Sequence, residues 1–268
     1  MMIGPGSKYK ILNKISSGTF GQVYKGQNVR TNEMVAIKVE KKSGDICATL
    51  KSEAKIYQYL GKLDGFPQLK WFGTDVKYNY LVIDLFHISL FTLKKNNQNI
   101  ELINILHFGQ QMIERLELLH SKFLLHRDVK PDNFLLDENN KVFIIDFGFC
   151  KRYEYDGIHI EEKRTKNIIG TVNYISLNVH NHLEPSRRDD IESVVYVIIY
   201  LLFGSLDIKK NSLQLDAALY VEDFYRIKQN LDCWPPFIRD MLIYIRQLGF
   251  KEKPNYKYLI DCLHRLAN

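Results

Sequence analysis

Hydrophobic and polar positions alternate with a period of two in the first third of the chain and recur every three to four residues in the rest. Over 34–41, Val35, Ile37 and Val39 share one face while Ala36 and Lys38 share the other, which predicts a strand with one buried side. Stretches 9–15 and 22–28 read as strands flanking a glycine-bearing turn, 68–74 and 80–84 as two more, and 47–60 as a helix. Farther on, Leu102, Ile105, Leu106, Gly109, Met112, Ile113, Leu116 and Leu119 keep helical spacing along one face. Short apolar stretches at 134–136 and 142–145 predict small strands beside a loop. The longest apolar run, 194–203, has ten residues, against the roughly 20 of a membrane-spanning helix. It predicts a helix over 191–203 buried on all sides, with Asp189 and Asp190 as starters because carboxylates suit the unpaired amides and the dipole there. Helical patterns return near 216–230, 236–248 and 255–267.

A strand-rich part over the first 86 residues followed by a helical part predicts an α+β, hinged, two-lobed chain. The 268 residues are 46% hydrophobic and 25% charged, which excludes a disordered chain. Cys47, Cys150, Cys233 and Cys262 lie far apart with no C-x-x-C spacing, so neither a disulfide framework nor a structural zinc site is expected, and a reducing compartment is. The net charge of +6 resides in 1–86, which hold 13 basic and 7 acidic residues, whereas 87–268 hold 24 of each. Such a surface suits anionic ligands or is simply a solvated lysine-rich face. The start MMIGPGSKYK carries no apolar signal core or myristoylation glycine, and the end LHRLAN is no prenylation box, so no membrane attachment is expected. No basic motif interleaved with aromatics points to nucleic acid.

Chemistry concentrates in four places. The turn Ser16-Ser17-Gly18-Thr19-Phe20-Gly21-Gln22-Val23 carries glycines that let backbone amides approach a polyphosphate. In Val35-Ala36-Ile37-Lys38, the lysine could reach phosphate oxygens while small Ala36 leaves space for a flat base, and Glu53 in the next helix could hold Lys38 as an ion pair. His126-Arg127-Asp128-Val129-Lys130-Pro131-Asp132-Asn133 places an aspartate, a lysine and an asparagine in one loop, and Asp146-Phe147-Gly148 begins 13 residues after Asn133. Phosphoryl transfer needs a carboxylate at the attacking hydroxyl, hard oxygen ligands for magnesium and a cation to offset phosphate charge.

These motifs resemble those of eukaryotic protein kinases, and more closely the casein kinase 1 family, over nearly the whole chain. The family-specific resemblance rests on Ser176-Leu177-Asn178, where most kinases have Ala-Pro-Glu, on Ser186-Arg187-Arg188-Asp189-Asp190-Ile191-Glu192-Ser193, and on ISSGTFGQVYKG at 15–26 and HRDVKPDNFL at 126–135. The resemblance implies a bilobal kinase fold, with residues 1–86 as the ATP-binding N-lobe and 87–268 as the catalytic C-lobe. Ile15 and Val23 would roof the adenine, Ala36 would line its pocket, and Ser16, Ser17, Gly18, Thr19, Phe20, Gly21 and Gln22 would cover the phosphates. Lys38 would contact the α- and β-phosphates and pair with Glu53. The hinge would run from Asp84 to Phe86, with Ile83 controlling the depth behind the adenine. Asp128 would orient the substrate hydroxyl and accept its proton, Lys130 would steady the transferring phosphate and mark serine/threonine specificity, and Asn133 and Asp146 would hold Mg2+. Asp190 would brace the catalytic loop.

The implied activity is transfer of the ATP γ-phosphate to Ser or Thr near acidic or phosphorylated residues of protein substrates, by an intracellular, cytoplasmic or nuclear, monomeric enzyme. Substrate contacts would involve Lys163, Arg164, Lys166, Thr171 and Asn173. Four departures from the family pattern stand out: Ser16 replaces the first loop glycine, His87-Ile88 replaces a Gly-Pro after the hinge, the segment after Phe203 is shortened and lacks the usual basic stretch, and Asn173 replaces an arginine that binds a substrate phosphate. The chain also ends just after its last helix, without the tail that inhibits some relatives, so constitutive activity is expected. Two rivals are a pseudokinase that only binds and a small-molecule kinase of similar fold; the retained Lys38, Glu53, Asp128, Asn133 and Asp146 argue against the first, and the intact segment 165–193 against the second.

Overall fold

The computed structural model describes residues 1–18, 21–42, 49–97, 99–206 and 217–265. Thr19, Phe20 and Cys47 lie outside the described residues. The chain divides into two compact units, one formed by Met1–His87 with Leu135–Gly148 and the other by Ile88–Phe134 with Phe149–Asn268.

The first unit is built on a six-stranded antiparallel sheet. Its strands are β1 (Met2–Ile3), β2 (Tyr9–Gly18), β3 (Gly21–Asn28), β4 (Met34–Lys41), β5 (Leu69–Thr74) and β6 (Tyr78–Asp84), in the order β1-β2-β3-β4-β6-β5. Alternation in β4 sorts its side chains as expected. Val35 and Ile37 are buried with Ile3, Tyr9, Tyr80 and Val82, and Val39 packs against that cluster. Ala36 and Lys38 point to the other face, opposite Ile83 and Leu81 on β6, and Val23 of β3 lies across from Lys38. Helix α1 (Thr49–Leu60) follows β4. Gly21, with φ +125°, could hardly be another residue: a Cβ there would sit 2.3 Å from the Val39 carbonyl oxygen.

Residues 135–148 associate with the first unit although they follow the boundary expected near residue 86. Three contacts explain this. The Ile144 amide donates to the Gly65 carbonyl at 3.0 Å, the rings of Phe86 and Phe143 lie 4.4 Å apart, and Phe147 packs on Tyr57 and Phe66.

The second unit is mainly helical: α2 (Leu90–Asn96), α3 (Leu102–Ser121), the short α4 (Leu177–His180), α5 (Arg187–Phe203), α6 (Ala217–Gln229), α7 (Pro236–Gln247) and α8 (Tyr256–His264). Helix α5 is buried nearly all round between α3 and α7. It starts at Arg187, earlier than expected, for a physical reason. Ser186 caps it, and the Ser186 amide donates to Asp189 at 2.7 Å in a reciprocal capping box. Asp189 thus sits in the first turn rather than before it, and Asp190 turns away from its own helix. None of the described helices is long and apolar enough to cross a membrane.

Candidate functional site

In the first unit, β4, α1 and the stretch after residue 144 converge on one charged cluster. Lys38 Nζ lies 2.8 Å from Glu53 Oε2 and 2.8 Å from Asp146 Oδ1. Glu53 is 3% exposed, so its carboxylate is held almost without water. Burial pushes the Glu53 carboxyl up to about 7, and the Lys38 ammonium pulls the other way. For Lys38 burial works against the charge, but the two carboxylates outweigh it and hold the ammonium above its ordinary range.

Asp146 has φ 65°, in the left-handed region that costs a non-glycine residue energy. The strain is fixed from outside. Its amide donates to the Tyr57 hydroxyl at 3.3 Å, and the next residue, Phe147, is buried edge-on against the Tyr57 ring at 4.9 Å. Nothing in the local sequence pattern singled out Tyr57. Ala36 and Ile83 pair across β4 and β6, half-buried, whereas Ile15 is 53% exposed and Ser16 and Ser17 are exposed. At the end of β6 the Asp84 carboxylate accepts bonds from the Gln68 amide and Lys70 Nζ, and the Phe86 ring meets Phe143.

In the second unit the loop after α3 gathers a second cluster. Asp128 is 4% exposed and its two oxygens are divided: Oδ1 accepts from the Thr171 hydroxyl at 2.8 Å and Oδ2 from Lys130 Nζ at 2.7 Å. Lys130 also reaches the Thr171 hydroxyl at 3.3 Å, and Asn133 Nδ2 donates to the Asp128 carbonyl at 2.8 Å. The loop is fastened from beneath. Asp190 accepts the amides of His126 and Arg127 at 2.7 and 2.8 Å and bonds His120 at 3.0 Å. Burial works against that carboxylate, yet His120 and the loop amides keep it below the ordinary carboxylate range.

The segment that carries Thr171 is anchored by residues the sequence did not single out for this role. Ser176 Oγ and Asn178 Nδ2 donate to Asp189 at 2.6 and 3.0 Å, and the Leu177 amide donates to Glu192, which pairs with Arg246. Asn173 is half-buried, and Lys163, Arg164 and Lys166 are exposed. Packing around Cys150, largely its burial, pushes the thiol up to about 12, which disfavours the reactive thiolate.

Both clusters carry hard oxygen donors suited to a small divalent cation, Asp146 in the first and Asn133 in the second. Among the described residues no group of three or more His, Cys, Asp or Glu forms a self-sufficient metal site. That donor chemistry fits magnesium, which keeps waters and uses phosphate oxygens alongside one or two protein ligands. A family model described as protein kinase domain matches residues 9–264.

Proposed function

The chain belongs to the protein kinase family, and from that premise we propose that it is a casein kinase 1-like serine/threonine kinase acting on acidic or phospho-primed proteins. The observation that carries this reading is the grouping of Asp128, Lys130 and Thr171 around one buried carboxylate. A carboxylate oriented by a cation and a hydroxyl can align a substrate hydroxyl and take its proton as the bond to phosphorus forms. Lys130 offsets the negative charge that grows on the transferring group, the role of a serine/threonine-type lysine. The Ser176-Leu177-Asn178 stretch, fastened to Asp189, supports the casein kinase 1 likeness in particular.

On the nucleotide side, Ile15, Val23, Ala36 and Ile83 enclose the adenine, and the main chain over 84–86 meets its polar edge. Lys38, held by Glu53, binds the α- and β-phosphates. Asn133 and Asp146 would hold Mg2+, which would supply positive charge to offset that of the phosphates. Most of the catalysis on this reading is positioning and charge stabilisation by a preorganised set of groups.

Transfer of radiolabelled phosphate from ATP to casein, followed by phosphoamino-acid analysis, tests the proposal. Labelled phosphoserine or phosphothreonine is expected. Nucleotide binding without transfer would make the chain a pseudokinase, and phosphotyrosine alone would overturn the assigned specificity.

A further inference from the structure

Lys228 of α6 is 1% exposed, and among the described residues no carboxylate pairs with it. Its ammonium is instead solvated by the segment that bears Thr171. Nζ donates to the carbonyls of Val172 at 2.9 Å and Ile175 at 2.7 Å, and lies 3.0 Å from His180 Nε2. The rings of Tyr196 and Phe224 flank it at 4.6 and 6.0 Å. A buried ammonium is costly unless it is fully hydrogen-bonded, so main-chain carbonyls that face it are strongly held.

We infer that Lys228 is a positioning residue for phosphoryl transfer: it clamps the Val172 and Ile175 carbonyls and so keeps the Thr171 hydroxyl on Asp128 and Lys130. This rests on the kinase reading above. The connection is short. Val172 is the next residue after Thr171, and the amides of Tyr174 and Ile175 close back onto the Thr171 carbonyl at 2.8 and 3.1 Å. One tight turn therefore has the catalytic carboxylate at one end and the lysine at the other.

The surrounding charges fit such a clamp. Glu192 and Tyr196 face Lys228 from α5, His180 from α4 and Arg246 from α7, and Arg246 also bonds the Lys228 carbonyl at 2.8 Å. Burial, with a further push from the Lys228 charge, brings His180 down to about 3, so its imidazole is neutral and accepts at Nε2. The proton then resides on Nδ1, which is buried and has no partner among the described residues. An orphaned buried donor is unfavourable, and it is tolerated here beside a cation that needs a third acceptor. Burial lowers Lys228 itself to about 7, with Glu192 opposing the shift and Arg246 adding to it; the ammonium has three donors and the neutral amine two, so the Val172 and Ile175 carbonyls are held in either form. A lysine kept only to fill the core would be replaced by methionine without loss; this one serves the turn.

Lys228→Met keeps the stem and removes the donors. In this variant, hydrogen exchange at the Tyr174 and Ile175 amides is expected to speed up at least tenfold while amides in the middle of α3 are unchanged. kcat/KM for a peptide substrate should fall about tenfold or more, the loss of one or two charge-assisted bonds, with the KM for ATP unaltered. In a Thr171→Ala background the same substitution should cause little further loss, because both act through one turn. Unchanged exchange at Tyr174 and Ile175, or a full additive loss in the Thr171→Ala background, would overturn the inference. If Lys228→Met does not fold, Lys228→Gln, which removes the charge and shortens the reach but keeps two amide N–H donors, is read in the same way with a smaller expected change. Absence of transfer by the wild-type chain would refute the kinase reading alone, since the exchange measurement still decides whether Lys228 holds the turn.

Discussion

The Glu184 carboxylate lies 3.9 Å from the Arg127 guanidinium, and it also accepts a 2.6 Å bond from Lys151 Nζ. Arg127 precedes Asp128, has φ 65° and donates from Nε to the Phe149 carbonyl at 2.7 Å. In many kinases a phosphate on the loop after Asp-Phe-Gly docks on the arginine at this place. Here a buried side-chain carboxylate already stands beside it. Full activity without loop phosphorylation is therefore expected. Phosphatase treatment should leave the casein phosphorylation rate unchanged, whereas Glu184→Ala should lower it and destabilise the fold by about 3–5 kcal/mol, as when one partner of a buried pair is removed. A rate that collapses after phosphatase and returns only with an upstream kinase would exclude this.

Glu53→Gln is expected to separate stability from activity. The amide keeps a polar group beside Lys38 and removes a carboxylate whose ionisation burial opposes, while Asp146 still balances the lysine. With a folded pKa of about 7 against an ordinary 4.5, the native state holds a proton that the unfolded chain releases between those values. Wild-type stability from this group is thus fully present below about 4.5 and is lost as pH rises through 7. The thermal midpoint of the variant minus that of wild type should grow over that window and level off above it. ATP-dependent kcat/KM should nevertheless fall, since Lys38 loses one of its two anchors. A midpoint difference independent of pH would show that Glu53 is ionised throughout.

Asp128→Asn and Asp146→Asn should each fold and each lower kcat by roughly 10²–10⁴-fold, the range for a proton-transfer or charge-stabilising group. The two should differ in one respect. Asp146→Asn removes a carboxylate from Lys38 and should raise the magnesium concentration needed for half-maximal rate, which Asp128→Asn should leave alone. Steady-state rates against magnesium concentration measure this, and near wild-type turnover in either variant would remove that residue from the mechanism.

Local pattern carried much of the architecture and little of the wiring. The period-two alternation of 34–41 placed Val35 and Ile37 in the core and Lys38 on the opposite face, because a strand's side chains must alternate. The start of α5 was less legible: Ser186 and Asp189 have the spacing of a capping box, but a dipole argument applied to Asp189 and Asp190 alone moves the start too far along. Other contacts join residues remote in sequence. Glu184 meets Arg127 across 57 positions, and Lys228 meets Val172 across 56. Lys228 did leave a trace. Phe224 and Lys228 lie four apart on the buried face of α6, so a charge stands where the helical period calls for an apolar side chain.

Asn173 bears on which substrates are chosen. It sits two residues after Thr171 in the clamped turn, where the casein kinase 1 resemblance implies an arginine that binds a phosphate on the substrate. Asparagine can donate a hydrogen bond but has neither charge nor a bidentate fork. A charge-assisted bond contributes roughly 1.5–3 kcal/mol, so on the proposed reading its absence would weaken discrimination by about 10- to 150-fold. Lys163, Arg164 and Lys166 are exposed in the same segment, and on the proposed reading they would favour acidic stretches over one fixed phosphate. Two peptides that differ only in Ser or phosphoserine three residues before the acceptor measure the effect. Wild type should prefer the primed peptide modestly, and Asn173→Arg should enlarge that preference by about tenfold or more, mainly through peptide KM, at an unchanged KM for ATP. A strong wild-type preference that Asn173→Arg leaves as it is would mean that another cation already holds the phosphate, and single replacements of Lys163, Arg164 and Lys166 by Gln would then identify it.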